Sequence, residues 1–208
     1  MVTESEICAT LIDALHRLAN AFAPDELAFL ATTTKAELPI RDRLGYLLYT
    51  EALRGGKYIV TREWQRFDLA LLTHDGAPLA LIELKCFYTF DMFAPKAASM
   101  FPSAGARDVA KLGRHASSSG SHQPITFTLL LATHLHEQPP KHLDCAIKYS
   151  KGIRRYWPPS REEALSQVDL HFPPTGEIAR GELHAGQAFG IPVSVLYWLR
   201  THRQVVAS

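Results

Sequence analysis

Cysteine is scarce in this chain of 208 residues, and the three present, Cys8, Cys86 and Cys145, are odd in number and unrelated in spacing. That excludes a disulfide-stapled scaffold and fits a reducing compartment, so a cytoplasmic location is expected. Charge of one sign is also missing, because 22 Lys and Arg stand against 21 Asp and Glu for a formal net charge of +1. The chain therefore lacks the strongly basic body common among non-specific nucleic-acid binders. Long apolar runs are absent too. Those around Phe127 to Ala132 and Val193 to Leu199 fall well short of the roughly 20 residues a membrane-spanning helix needs. Glu4, Glu6, Asp13, His16 and Arg17 interrupt any leader-like segment near the start. No membrane partner is expected. A glycine-rich phosphate loop, a nucleophile elbow around serine and an HExxH helix are missing as well, which lowers several common enzyme classes.

What is present is ordinary globular material, 47% hydrophobic and 21% charged, enough for one domain over residues 1–208. Thr3 and Glu6 make a capping-box pattern ahead of Ile7, Leu11, Leu15, Leu18 and Phe22, a helical stripe. Asp25 is expected to cap a short second helix through Leu30, so that N-terminal helices occupy 3–31. Pro39 fits the first turn of a third helix with a core face of Ile40, Leu44, Leu47 and Leu48, stopped at Gly55-Gly56. From Tyr58 the period changes. Tyr58 to Glu63, Arg66 to Thr73 and Leu79 to Phe87 read as strands, the last two joined by a hairpin turn at Asp75-Gly76. Phe90 to Ser103, with Pro95 and Pro102, reads as irregular, and a helix around Asp108 to Leu112 ends before Ser117. Ile125 to Thr133 is expected as a central strand covered on both faces. Leu143 to Trp157 traces a helical face, Ser160 with Glu163 a second capping box, and Ile191 to Leu199 a last strand, within a C-terminal region of 140–203. The order is helix, three strands, helix, strand, helices, strand. The expected class is α/β, a mixed central β-sheet flanked by helices.

Chemistry is concentrated in two apolar strands that contain charges: Arg66-Phe67-Asp68-Leu69-Ala70-Leu71-Leu72 and Leu79-Ala80-Leu81-Ile82-Glu83-Leu84-Lys85. Strand alternation puts Glu83 and Lys85 on one face, about 6 to 7 Å apart along it. Buried unpaired charge costs several kcal/mol, so Asp68, Glu83 and Lys85 must be compensated by one another or by a cation. Two carboxylates from adjacent strands suit Mg²⁺ or Mn²⁺, which prefer oxygen ligands, and Lys85 beside them could orient a water or stabilise phosphate charge. The plainer alternative is an ion pair of Glu83 with Lys85 or Arg66 on a half-exposed strand face.

These residues resemble the PD-(D/E)XK nuclease superfamily, whose signature is an Asp on one strand and Glu-x-Lys on the next across a hairpin, here Asp68 and Glu83-Leu84-Lys85. The Arg66-x-Asp68 form, a helix before the hairpin and a helix then strand after it extend the likeness over about residues 37–135. The resemblance implies a restriction-endonuclease-like fold, Mg²⁺ or Mn²⁺ dependence and cleavage of nucleic acid, with DNA the first expectation. It implies Asp68 and Glu83 as metal ligands, Lys85 as the catalytic lysine and an acid from the preceding helix, for which Glu37 comes first and Asp42 and Glu51 follow. Many relatives cut two strands as homodimers, and the superfamily also contains binding-only members, so an inactive nucleic-acid- or protein-binding module is the alternative function. Glu37 has a second reading as a helix N-terminal charge favoured by the macrodipole.

Two further groups stand out. Arg41, Arg43, Arg54, Lys57, Arg62 and Arg66 precede the motif, and Lys148, Lys151, Arg154 and Arg155 follow it among Tyr149, Tyr156 and Trp157. Such residues neutralise phosphates and stack on bases; Arg41, Arg66, Lys111, Arg154 and Arg155 are the expected contacts, against a solvated helix face with Trp157 in the core. His134-Leu135-His136 with His142 and Cys145 contains zinc-ligand types, though the spacing matches no common zinc module.

Overall fold

The computed structural model describes residues 2–118, 123–158, 160–172 and 175–202. Three helices come first. In α1 (Glu4–Leu18) the Thr3 side chain accepts the Glu6 N–H at 3.2 Å and Glu6 Oε2 accepts the Thr3 N–H at 2.9 Å, the reciprocal cap expected from sequence. Ile7, Leu11, Leu15 and Leu18 form its buried stripe. Asp25 does not cap α2 (Glu26–Thr33). It sits at φ +64°, and its carboxylate accepts the Gln187 N–H at 2.7 Å. The next helix, α3 (Glu37–Gly55), buries Ile40, Leu44 and Leu48 and stops at Gly56, whose φ of +58° suits a residue without a Cβ.

Strands β1 (Ile59–Trp64), β2 (Phe67–Leu72) and β3 (Pro78–Tyr88) form an antiparallel run. The β2–β3 turn places Gly76 at φ +85° and is closed by the Thr73 N–H donating to the Ala77 carbonyl at 2.8 Å. A parallel neighbour needs a crossover, and α4 (Pro95–Ser118) provides it ahead of β4 (Ile125–Leu135), which pairs parallel to β3 from Ala80 and Ile125 to Tyr88 and Thr133. After α5 (Ser150–Arg155) and α6 (Arg161–His171), β5 (Glu177–Ala188) and β6 (Ile191–His202) complete a six-stranded sheet in the order β1-β2-β3-β4-β6-β5. The molecule is thus α/β, a mixed sheet flanked by helices. No described helix is long and apolar enough to cross a membrane.

Alternation assigns the faces. Leu69, Ile82, Leu84, Leu129 and Val195 meet α1 to α3 in the larger core, while Phe87, Leu130, Leu196 and Trp198 pack with Phe101, Val168 and Phe172 from α4 and α6 on the other face.

The structure corrects several boundaries. Residues 90–103 are not irregular, because a 3₁₀ turn over Thr89–Phe93 leads into α4. Pro95 opens that helix at a position where its missing N–H costs nothing. The helix expected over 143–157 is shorter: a 3₁₀ turn at Lys141–Leu143 and α5 are separated by Tyr149 at φ +61°. Strand β5 has no counterpart in the expected order. It is a half-exposed edge strand with charges at Glu177, Arg180, Glu182 and His184 and with Gly181 and Gly186 in its path, so it shows no clean alternation.

Candidate active site

The β2–β3 ladder ends at Leu69 opposite Ile82. Beyond that pair β2 leaves β3, and two β3 N–H groups face the notch. Their acceptors are side chains: the Leu84 N–H donates to Asp68 Oδ2 at 2.7 Å, and the Cys86 N–H donates to Glu37 Oε2 at 2.9 Å. Carboxylates from β2 and from the first turn of α3 thus replace a strand neighbour along the open edge. Glu37 stands in the first turn of α3, where the macrodipole favours its charge, and its side chain makes no cap hydrogen bond there but spans to a residue 49 positions later. Asp42 and Glu51, the reserve candidates, lie elsewhere, Asp42 in ion pairs with Arg41 and Arg62 and Glu51 with Arg17 and Arg54.

Glu83 lies next to Leu84 on the face covered by α4 and is 6% exposed. Burial pushes its pKa up to about 7; Lys111 pulls it down, while a hydrogen bond and repulsion from the Asp68 carboxyl push it further up. The two carboxyls therefore lie near enough to act on each other's charge. Burial likewise raises Glu37; the Cys86 N–H and Lys85 oppose that shift, and Asp68 adds to it. Lys85 is half-buried on the same face as Glu83, near enough to Glu37 to act on its charge. Asp68, Glu83, Lys85 and Glu37, predicted from separate elements, are brought together.

Lys111 joins them in a role the sequence did not reveal. Its ammonium, on α4, donates to Glu83 Oε1 and to the Arg66 carbonyl and lies 4.2 Å from the centre of the Phe67 ring. It is a cation held by a carboxylate and a carbonyl oxygen, the ligand types that a hard divalent ion takes. Its oxygen partners are one carboxylate and one carbonyl, with the Asp68 carboxyl acting on Glu83 from beyond them; among the described residues no group of three or more His, Cys, Asp or Glu is arranged to hold an ion. The set fits Mg²⁺ or Mn²⁺ only as a partial shell completed by water, and only with the ammonium withdrawn.

The predicted phosphate contacts separate into two kinds. On the α3 side every described cation but Arg66 is engaged: Arg41, 8% exposed, with Asp42 and Glu63, Arg43 with Glu26, Arg54 with Glu51, Lys57 with Glu6 and Arg62 with Asp42. Arg66 is exposed in the β1–β2 turn at φ +72°. A cavity of about 630 Å³ between α3 and β1, lined by Arg41, Asp42, Tyr46, Tyr49 and Arg62, borders this zone and does not open onto Glu83. On α5, Arg154 is paired with Asp144 at 2.7 Å, whereas Lys148 and Arg155 are exposed, each lying over a neighbouring tyrosine ring. The Lys148 N–H donates to the Thr32 carbonyl at 2.8 Å and the Tyr149 ring meets Tyr88 edge-on at 5.7 Å, so this segment lies at the C-terminal end of β3. Trp157 is only half-buried there.

The histidines form no zinc site. His134 is 5% exposed and bonds Thr89 Oγ1 at 3.0 Å; His136 bonds Ser194 Oγ at 2.8 Å, and Ser194 donates to Glu182, which pairs with Arg161. Cys145 is exposed and its thiol contacts only the His142 carbonyl. The geometry is that of a polar chain stitching β4, β6 and β5.

No family model matches the sequence, and neither a curated protein nor a solved structure matches the chain.

Proposed function

We propose that the chain is a metal-dependent nuclease of restriction-endonuclease-like fold that hydrolyses phosphodiester bonds, DNA being the first substrate to test. The observation that carries this reading is the meeting of Glu37, Asp68, Glu83 and Lys85 at the notch where β2 leaves β3. The succession of α3, three antiparallel strands, α4 and a parallel strand supports it, because this is the setting in which the resemblance places Asp68 and Glu83-Leu84-Lys85.

Asp68 and Glu83 would hold Mg²⁺ or Mn²⁺, ions commonly bound through one or two carboxylates with water completing the shell. When bound, such an ion supplies an activated water and polarises a phosphate oxygen. Lys85 directs an ammonium to the same face, where it orients the attacking water and offsets charge on the phosphate. Glu37 is anchored by the Cys86 N–H, and its charge acts on Lys85, which would help to hold that ammonium in place. Lys148, Lys151 and Arg155 are exposed and would meet phosphates approaching the end of β3, with the exposed Tyr149 ring available to a base. A cytoplasmic location and a homodimer that cuts two strands belong to the same reading; they rest on cysteine usage and on the resemblance.

A second reading, a binding module on the same fold, is favoured by one observation: Asp68, Glu37 and Glu83 all have protein partners already, two backbone N–H groups and Lys111. Cleavage assays with Mg²⁺ and Mn²⁺ on linear, branched and single-stranded DNA and on RNA separate the two. Cleavage lost in Asp68→Asn and Lys85→Met supports the nuclease. Wild type indistinguishable from both variants on every substrate contradicts it.

A further inference from the structure

Among the described residues Lys111 is a cation seated on the buried carboxylate of the site, and its seat is made of groups that would also bind a metal. Glu83 has a side chain 8% exposed, Lys111 one 30% exposed. The carboxylate is fixed in a strand, while the ammonium sits at the end of a flexible stem on a helix beside solvent. Among the described residues, two of the groups around that ammonium are hard oxygen ligands, Glu83 Oε1 and the Arg66 carbonyl, and another is the face of the Phe67 ring. An ammonium and a divalent ion cannot both occupy Glu83 Oε1. The ring offers the ammonium a resting place that a hydrated divalent ion gains little from.

We infer that Lys111 is the site's exchangeable internal cation: it neutralises Glu83 in the metal-free protein and swings outward when a divalent ion enters, where it meets the substrate phosphate. The inference rests on the nuclease reading and adds a residue whose position depends on the state of the site. Lys111 is a positioning residue in the metal-free state, because it keeps the buried Glu83 carboxylate compensated and in place until the ion arrives. It becomes a phosphate contact only after exchange.

The exchange has a signature in binding that a fixed structural ion pair lacks. Titration of Mn²⁺ by calorimetry, without nucleic acid, should show about tenfold tighter binding in Lys111→Met than in wild type, since the competitor is removed while the apolar stem is kept. Lys85→Met is the control. It removes the same charge from the same face without emptying the seat on Glu83, so it should tighten binding less. Equal tightening in the two variants reduces the effect to general electrostatics and overturns the inference, as does affinity unchanged in Lys111→Met. Absence of Mn²⁺ binding in wild type and in every variant overturns the nuclease reading and this inference together, which distinguishes the two failures. A measurement on the wild-type chain covers the case in which Lys111→Met does not fold. Peptide-resolved acylation of Lys111 by an amine-reactive ester should speed up about fivefold or more when saturating Mn²⁺ is added. An unchanged rate overturns the exchange.

Discussion

Two polar clusters lie against the sheet, one on the α6 face and one at the edge where β2 leaves β3, and they solve burial differently. The chain from Thr89 and His134 through His136, Ser194 and Glu182 to Arg161 uses hydroxyls and imidazoles between one carboxylate and one guanidinium, so each group has a partner and the charges cancel. The cluster of Glu37, Asp68, Glu83, Lys85 and Lys111 gathers three carboxyls, with Asp68 acting on both Glu37 and Glu83 and with Lys35 also acting on Glu37. A satisfied neutral chain rigidifies a sheet. Carboxyls perturbed by burial and by one another at the open end of a ladder are typical of working sites.

The largest expected effect therefore falls on one cluster alone. Asp68→Asn or Glu83→Gln should lower divalent-dependent cleavage by at least about a thousandfold, while Ser194→Ala should leave cleavage within about twofold and lower stability by about 1 to 2 kcal/mol through its lost hydrogen bonds. Comparable activity losses in both would erase the distinction.

The clusters should also respond to pH with opposite sign. Glu83 binds its proton more tightly when folded, about 7 against an ordinary 4.5, so its contribution to stability is present below pH 4.5 and is lost as pH rises towards 7. His134 is depressed from 6.5 to about 4 by burial, then by His136 and Arg161, so its contribution is present above pH 6.5 and is lost as pH falls towards 4. In the shared window the slopes oppose. Denaturant unfolding between pH 4.5 and 6.5 should show stability rising more steeply with pH in Glu83→Gln than in wild type, and falling in His134→Gln. Identical profiles in all three would contradict both assignments.

A smaller effect sharpens the contrast between the two basic groups. Lys148→Glu with Lys151→Glu should weaken oligonucleotide binding about tenfold and reduce the salt slope by about 2, because these exposed cations would release counterions on meeting phosphate. Arg43→Glu with Arg54→Glu should change binding less, since those residues already neutralise Glu26 and Glu51. A filter-binding series in salt measures both.

Much of the site was legible because its chemistry depends on alternation within two short strands. Asp68, Glu83 and Lys85 stand out where Leu, Ala and Ile would otherwise fill the strand, and the hairpin at Asp75-Gly76 brings the two strands side by side. Glu37 was legible only through the resemblance; its partner is a backbone N–H, which no side-chain pattern records. Lys111 was legible as polar but not as the partner of Glu83, because that contact depends on where the crossover helix lies. The pairing of the basic residues before the motif was not legible for a related reason, since several of their acids come from distant elements: Glu6 and Glu26 from α1 and α2, Glu63 from β1. Strand β5 was missed because an edge strand with one solvent-facing side and two glycines carries neither a continuous apolar run nor a clean period of two.

The central claim is that the notch between β2 and β3 is a divalent-cation site in which the ion replaces Lys111. Anomalous diffraction from crystals soaked in Mn²⁺ tests it most directly. The account predicts one peak about 2.0 to 2.6 Å from carboxylate oxygens of both Asp68 and Glu83, with the Lys111 ammonium withdrawn from Glu83. A fully soaked crystal with no peak there and Lys111 still seated on Glu83 would contradict it.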